Sequence, residues 1–180
     1  MLKYKIKILN TIGDGSCLIH AILQAFNKQY NNLENNMQKM KLVKEVRFHL
    51  SEILDLPVPE KNNTNVYNLL SRGELLDISE HIEEVDLDYM KEYLNSNNFL
   101  EFQYIELLSE IFDINIVFIS NKKIYHCGDN ELLFRDDRDI VLINYIQDIH
   151  FETISIDDKT LIKRNDKIYD DIKKLVYYKS

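Results

Sequence analysis

The sequence predicts an α/β or α+β domain with a central, mostly antiparallel sheet between helical regions. Two observations support this fold class. Apolar residues recur at helical spacing in the first half of the chain, whereas short apolar runs typical of strands dominate the second half. The chain has 180 residues, of which 45% are hydrophobic, enough for a single core. We therefore predict one domain over residues 1–180.

An N-terminal strand precedes two helices. Residues 2–9 alternate between apolar side chains and lysines, so we expect one face of this strand to be buried and the lysine face to be solvated. A turn over 11–15 follows. Apolar residues then lie at helical spacing over 17–27 and again over 40–54, and Pro57 ends the second helix.

The middle of the chain, residues 58–98, is acidic and polar between its apolar positions. We predict a small helical lobe here, with short helices near 66–70, 74–85 and 87–94. Asp86 is a residue type that caps helices, and it directly precedes the last of them.

The second half contains four strands framed by two helices. The buried strand over 114–119 is a nearly continuous apolar run, which is typical of a strand covered on both faces. The six elements are predicted over 102–112 (helix), 114–119, 123–127, 140–146 and 150–156 (strands) and 168–176 (helix).

Composition excludes several classes of protein. The net charge of −8 argues against a basic nucleic-acid-binding face and favours basic partners. No stretch is apolar for long enough to span a bilayer, and the alternating N-terminus is not a secretory signal. Two cysteines are too few for a disulfide framework, so we expect a reducing compartment, the cytoplasm.

The segment Gly13–Ile22 carries the strongest chemical signal. Cys17 follows an Asp-Gly turn and begins a predicted helix. The free N–H groups at a helix N-terminus favour a thiolate, and they can also hold the oxyanion that forms when a thiolate attacks a carbonyl. This pattern favours a cysteine nucleophile. The alternative is that Cys17 is a small buried hydrophobic residue, which is common for intracellular cysteines.

His150 and Glu152 lie two residues apart on a predicted strand, so they share one face. A carboxylate beside an imidazole can fix its tautomer and stabilise its protonated form. With Cys17, the pair predicts a cysteine hydrolase. The alternative is a salt bridge at the end of a strand.

The remaining histidines give weaker signals. His20 lies one turn into the Cys17 helix, where it touches the site or serves only in packing. His49 lies in a charged helix stretch close to Arg47, and His81 lies among glutamates and is expected to be solvated. His126 and Cys127 are adjacent, but no second cysteine pair stands at zinc spacing. We therefore predict no metal and no cofactor.

Three segments resemble the ovarian-tumour (OTU) family of cysteine proteases. The first is Asp14–Ile22 near the N-terminus. The second is the pair of motifs Val141–Tyr145 and His150–Glu152 near the C-terminus. Between them, Gln103–Ile119 resembles the helix of the family that leads into a central apolar strand. The order and spacing of these segments cover most of the chain.

The resemblance implies a papain-like α/β fold and hydrolysis of bonds after the C-terminal glycine of ubiquitin or a ubiquitin-like protein. It assigns Cys17 as the nucleophile, His150 as the general base and Glu152 as the residue that orients His150. Asp14 would shape the loop before the nucleophile. The backbone of this loop would form the oxyanion hole, from Asp14, Gly15, Ser16 and Cys17.

Two departures from the family pattern matter. The family usually has Asp or Asn where Glu152 stands, and Glu is one methylene longer. Asn144 or Asp14 could therefore assist in orienting His150. The family also often has a Trp-Gly pair before its third major helix, where this chain has Phe99-Leu100 and contains no Trp.

The implied partners are ubiquitin and polyubiquitin chains, with ubiquitin-like modifiers as a further option. We expect a monomer that binds neither nucleic acid nor membranes, with substrate recognition by the 58–98 lobe. The location would be the host cytoplasm if the chain comes from a virus or an intracellular pathogen. Two alternatives stay open: a ubiquitin-binding module with weakened catalysis, and a papain-like protease for another peptide.

Overall fold

A six-stranded sheet forms the centre of the structure. The computed structural model describes residues 4–59, 64–71, 86–100, 103–120, 123–126, 134–146 and 149–177. The strands are β1 (Ile6–Leu9), β2 (Pro57–Val58), β3 (Thr64–Asn65), β4 (Ile114–Ser120), β5 (Lys123–His126), β6 (Asp139–Ile146), β7 (His150–Ile156) and β8 (Leu161–Ile162). The helices are α1 (Cys17–Phe26), α2 (Lys28–Asn31), α3 (Asn36–Leu54), α4 (Val66–Ser71), α5 (Leu87–Asn95), α6 (Gln103–Phe112) and α7 (Lys167–Tyr177).

The central sheet has the order β1-β7-β6-β4-β5, and β8 pairs with β6. The pairs β1–β7, β7–β6, β4–β5 and β6–β8 are antiparallel, whereas β4 and β6 run parallel. The prediction of a mostly antiparallel sheet is therefore confirmed. β2 and β3 form a separate two-stranded sheet.

Side chains alternate across β6 and β7 into two cores, because successive residues of a strand face opposite sides. Val141, Ile143 and Phe151 lie in the core that contains residues of α1, α3, α5 and α6. Leu142 and Ile154 lie in the second core, with residues of α7. Helices therefore cover both faces of the sheet, as the sequence predicted.

The predicted burial of the apolar face of β1 is wrong. Ile6 and Ile8 are 50% and 51% exposed. The physical reason is that β1 is the edge strand and pairs with β7 alone. Tyr4, just before the strand, packs against the second core instead.

The 58–98 region is partly described. Helices α4 and α5 confirm two predicted helices, and the side chain of Asp86 caps α5 by accepting a hydrogen bond from the Tyr89 amide at 2.8 Å. The helix predicted over 74–85, which contains His81, lies outside the described residues, as does Cys127 at the end of the strand predicted over 123–127. Four short elements were not predicted: α2, β8 and the paired strands β2 and β3.

Candidate active site

The loop before Cys17 is a tight turn closed by Asp14. The Asp14 Oδ1 atom accepts a hydrogen bond from the Ser16 amide at 2.9 Å. Gly15 lies between them with φ of +85°, a conformation that other residues rarely adopt. A Cβ atom at Gly15 would also lie only 2.0 Å from the Asn97 carbonyl oxygen. Glycine is therefore required here by both conformation and space.

Helix α1 begins at Cys17 and is deeply buried, with Cys17 itself 2% exposed. Burial raises the pKa of the Cys17 thiol, and the negative charge of Asp14 also raises it slightly. Backbone hydrogen bonds from Phe151 and Leu18 and from Cys17 itself lower it, but burial prevails. The expected thiolate-favouring effect of the helix N-terminus is thus outweighed, and the resting thiol is protonated.

A chain of hydrogen bonds from Tyr30 through His20 to Asp14 supports the loop before Cys17. His20 Nε2 lies 3.2 Å from Asp14 Oδ2, and His20 Nδ1 lies 2.8 Å from the Tyr30 hydroxyl. His20 is fully buried, and burial lowers its pKa, so the ring is neutral at neutral pH. A neutral ring that donates from Nε2 to Asp14 accepts the Tyr30 proton at Nδ1. His20 therefore touches the site and holds Asp14 in place.

Strand β7 carries His150 to the N-terminus of α1. The Thr153 hydroxyl donates to the Ala21 carbonyl oxygen of α1 at 2.9 Å. Phe151 is fully buried beside His150, and its ring stacks on Phe99 and Tyr145 with centroid distances of 5.3 and 4.6 Å. The hydrogen bond fixes β7 against α1, so the strand that begins with His150 packs against the helix that begins with Cys17.

The imidazole of His150 is held between Gly13 and Thr11. A Cβ atom at Gly13 would lie 4.0 Å from His150 Cε1, so the glycine backbone flanks the ring. The Thr11 hydroxyl oxygen lies 3.3 Å from His150 Nε2, and it also hydrogen-bonds to the Phe151 carbonyl oxygen.

Thr11 determines the tautomer of His150. A hydroxyl has one proton, and Thr11 donates it to the Phe151 carbonyl. Towards His150 the same oxygen can only accept, so Nε2 carries the hydrogen and Nδ1 has the free lone pair. Nδ1 is thus the ring nitrogen that is able to accept a proton.

Glu152 forms its hydrogen bond with a different residue. The Asn144 side-chain amide donates to Glu152 Oε2 at 3.0 Å, and the two residues are direct partners in the pairing of β6 and β7. Glu152 is nearly buried, so this bond satisfies a carboxylate that would otherwise be costly. In the structure the side chain of His150 is hydrogen-bonded to Thr11, and the side chain of Glu152 is hydrogen-bonded to Asn144.

Sequence reasoning missed two residues of the site. The sequence predicts only a turn at Thr11, but the register of β1 on β7 places Leu9 opposite Thr153 and so brings residue 11 to the level of Phe151. Arg47 lies in a charged stretch of α3, yet it is 2% exposed and bonded to the loop before Cys17. No local sequence pattern indicates that burial.

Within the described parts of the chain, no group of three or more histidine, cysteine or acidic side chains could hold a metal ion. A search of the described helices for membrane-spanning segments finds none of sufficient length and apolarity.

Comparisons with known proteins agree with this geometry. The family model of the OTU-like cysteine proteases matches residues 12–150, which is more than half of the chain. That range begins just after Thr11 and ends at His150. No curated protein sequence is significantly similar to this chain.

Three solved structures are similar in fold. An ovarian-tumour domain in complex with ubiquitin has a TM-score of 0.60 at 16% identity, covering 96% of this chain and 83% of that one. The OTUD1 OTU domain has a TM-score of 0.54 at 11% identity, covering 83% and 85%. The Hazara virus OTU bound to ubiquitin has a TM-score of 0.50 at 12% identity, covering 85% and 82%. The implied papain-like OTU fold is confirmed, and the chain belongs to the OTU-like cysteine protease family.

Proposed function

We propose that the protein is a deubiquitinase that cleaves the isopeptide or peptide bond after the C-terminal glycine of ubiquitin. The observation that carries the proposal is the meeting of the N-terminus of α1, which begins with Cys17, and the start of β7, which begins with His150. The Thr11–His150 contact and the hydrogen bond from the Thr153 hydroxyl of β7 to the Ala21 carbonyl of α1 are the contacts that support it. Two OTU domains of similar fold were solved with ubiquitin bound.

The first half of the reaction forms a thioester. His150 Nδ1 takes the Cys17 proton, and the thiolate adds to the carbonyl carbon of the terminal glycine. The negative charge moves to the carbonyl oxygen, which the backbone amides of the loop stabilise. When the tetrahedral intermediate collapses, the C–N bond breaks and protonated His150 donates its proton to the leaving lysine amine.

The second half restores the enzyme. His150, again neutral, removes a proton from water as the water adds to the thioester carbonyl. The C–S bond then breaks, which releases the ubiquitin carboxylate, and Cys17 recovers its proton. No metal or cofactor is needed for these steps. Because burial keeps the resting thiol protonated, the proton transfer to His150 is a required part of each turnover.

The proposed oxyanion hole draws on the loop Asp14–Cys17. The Ser16 amide is engaged by Asp14 Oδ1, so in this conformation it shapes the turn. The Cys17 amide, at the first position of α1, is then the principal donor, with the Gly15 amide beside it. Asp14 contributes through the turn it closes.

We propose that Thr11 orients His150 directly and that Glu152, through its hydrogen bond with Asn144, supports the pairing of β6 and β7 next to His150.

The acidic chain, with a net charge of −8, suits the basic tail of ubiquitin. Polyubiquitin chains and ubiquitin-like modifiers are further proposed substrates, with recognition by the 58–98 lobe. A monomer in the cytoplasm is the proposed form.

Hydrolysis of diubiquitin tests this function. We expect purified protein to release monoubiquitin from at least one linkage in a panel of diubiquitins, and the Cys17→Ala variant to bind ubiquitin without turnover. Binding without hydrolysis by the wild type would instead indicate a binding module. Cleavage of generic peptides but of no ubiquitin substrate would indicate a papain-like protease of different specificity.

A further inference from the structure

Arg47, on helix α3, is a buried cation with an exposed fraction of 2%. Its Nε atom donates to the Leu94 carbonyl oxygen at 2.8 Å, and Nη2 donates to the Tyr93 carbonyl oxygen at 2.8 Å. Nη1 donates to the Asn98 carbonyl oxygen at 3.0 Å. These bonds fix the guanidinium to the end of α5 and the segment after it.

The same guanidinium reaches the loop that precedes the nucleophile. Nη1 donates to the Ser16 hydroxyl oxygen at 3.0 Å and lies 3.4 Å from the Gly15 carbonyl oxygen. Since Nη1 also binds Asn98, one nitrogen ties the catalytic loop to the segment after α5. This is the same segment whose Asn97 carbonyl packs against Gly15.

These contacts clamp a single peptide plane. In a trans peptide the C=O and the following N–H point in opposite directions. Arg47 holds the Gly15 C=O on one side, and Asp14 holds the Ser16 N–H on the other. The plane cannot rotate without breaking both bonds, and it is the plane directly before the one that carries the Cys17 amide.

Arg47 also changes the capping of α1. Ser16 occupies the N-cap position, where a serine side chain usually accepts from an amide of the first turn. In the part of the chain that the structure describes, the Ser16 side chain makes no such bond and accepts from Arg47 instead. Arg47 therefore holds the Ser16 side chain towards α3 and the segment after α5, and away from the amides of residues 18 and 19 that a serine cap would use.

The partners of Arg47 distinguish it from a structural ion pair. Its five acceptors among the described residues are four carbonyls and one hydroxyl, all neutral. Arg138, which is similarly buried at 4% exposure, pairs with the carboxylates of Glu110 and Asp113. Burial of a cation on neutral acceptors is costly, and burial lowers the pKa of Arg47.

We propose that Arg47 is a positioning residue for the reaction: it fixes the Gly15–Ser16 peptide that leads into α1, so that the Cys17 amide that follows is aimed at the oxyanion. The inference rests on the proposed function, because it assumes an acyl transfer at Cys17. If the proposal is right, Arg47 stabilises the oxyanion-forming transition state and has no effect on formation of the Cys17 thiolate.

Two rates measured on the same variants test this role. The first is kcat for hydrolysis of a ubiquitin C-terminal fluorogenic amide, which needs the oxyanion site. The second is alkylation of Cys17 by iodoacetamide, which forms no oxyanion. For Arg47→Met we expect kcat to fall about 100-fold, the usual cost of losing an oxyanion donor, while KM and the alkylation rate change by no more than about 2-fold. Arg47→Lys should recover part of kcat.

Arg138→Met is the matched control, since it removes a similarly buried arginine whose ion pairs lie outside the catalytic loop. It should lower the melting temperature and leave kcat of the folded enzyme unchanged. If Arg47→Met does not fold, Arg47→Lys carries the test, with kcat reduced and alkylation unchanged.

Unchanged kcat in a folded Arg47 variant would overturn the proposal, as would equal losses of kcat and alkylation rate. An inactive wild type would refute the proposed deubiquitinase function instead, so the two failures are distinguishable.

Discussion

The hydroxyl oxygen of Thr11 lies 3.3 Å from Nε2 of His150, the proposed general base. Thr11 donates its own proton to the Phe151 carbonyl, so it accepts the imidazole hydrogen. This bond leaves Nδ1 as the basic nitrogen. A hydroxyl stabilises a positive imidazolium less than a carboxylate does, so the contact serves mainly to set the tautomer and the ring orientation.

Thr11→Val tests this contact, because valine has nearly the same shape and lacks the hydroxyl. We expect kcat/KM to fall about 10-fold, equivalent to about 1.4 kcal/mol of transition-state stabilisation. Thr11→Ser keeps the hydroxyl and should stay near wild type. Steady-state kinetics on a ubiquitin C-terminal amide gives both values. Full activity in Thr11→Val would show that the imidazole is oriented by another group.

Glu152→Gln tests the residue that the family pattern places third. Glutamine keeps an oxygen that can accept from Asn144, so the strand pairing survives. We expect kcat/KM to fall by less than about 10-fold, and His150→Ala to lose far more because it removes the general base. A loss in Glu152→Gln that equals the loss in His150→Ala would mean that the carboxylate itself assists the imidazole.

Gly15→Ala and Gly13→Ala form a matched pair of variants. Alanine at residue 15 meets the Asn97 carbonyl at 2.0 Å and needs a positive φ, so the loop must move. Alanine at residue 13 meets His150 Cε1 at 4.0 Å, an ordinary van der Waals distance. We expect kcat/KM to fall at least about 100-fold in Gly15→Ala, as when an oxyanion donor is lost, and by less than about 3-fold in Gly13→Ala. Similar effects at both positions would contradict the close packing of Gly15 against Asn97.

The sequence is enough to propose a nucleophile and a base, because both candidates stand in local patterns. Cys17 follows an Asp-Gly turn at the start of an amphipathic helix, and His150 begins an apolar strand. Most elements follow from hydrophobic periodicity in the same way. Long-range geometry is different, because the contacts of Thr11 with β7 and of Arg47 with α5 depend on tertiary packing that no local pattern encodes.

Strand β1, at the edge of the sheet, also shows that a local sequence pattern does not determine tertiary packing. Alternation along β1 predicts an apolar face correctly, but whether that face is buried depends on which elements pack over the edge of the sheet.

The pKa of Cys17 is a further property that the sequence alone does not determine. A helix N-terminus lowers the pKa of a thiol, burial raises it, and only the structure shows that burial is the larger effect here.

The raised pKa of Cys17 predicts how the thiol reacts with pH. In a Cys127→Ser, His150→Ala variant, Cys17 is the single thiol and is free of coupling to the imidazole. We expect its iodoacetamide alkylation rate to rise with pH to a midpoint above that of a short cysteine peptide measured alongside, because burial disfavours the thiolate. A midpoint below that of the peptide would show that the helix N-terminus prevails.

The most direct measurement is the reaction of purified protein with ubiquitin that carries an electrophile in place of its C-terminal carboxylate. Intact mass spectrometry and peptide mapping then identify the modified residue. We predict a single adduct of one ubiquitin on Cys17, absent in Cys17→Ala and greatly slowed in His150→Ala. No adduct with the wild type, or an adduct on Cys127 instead, would contradict the assignment of Cys17 and His150 as the catalytic pair.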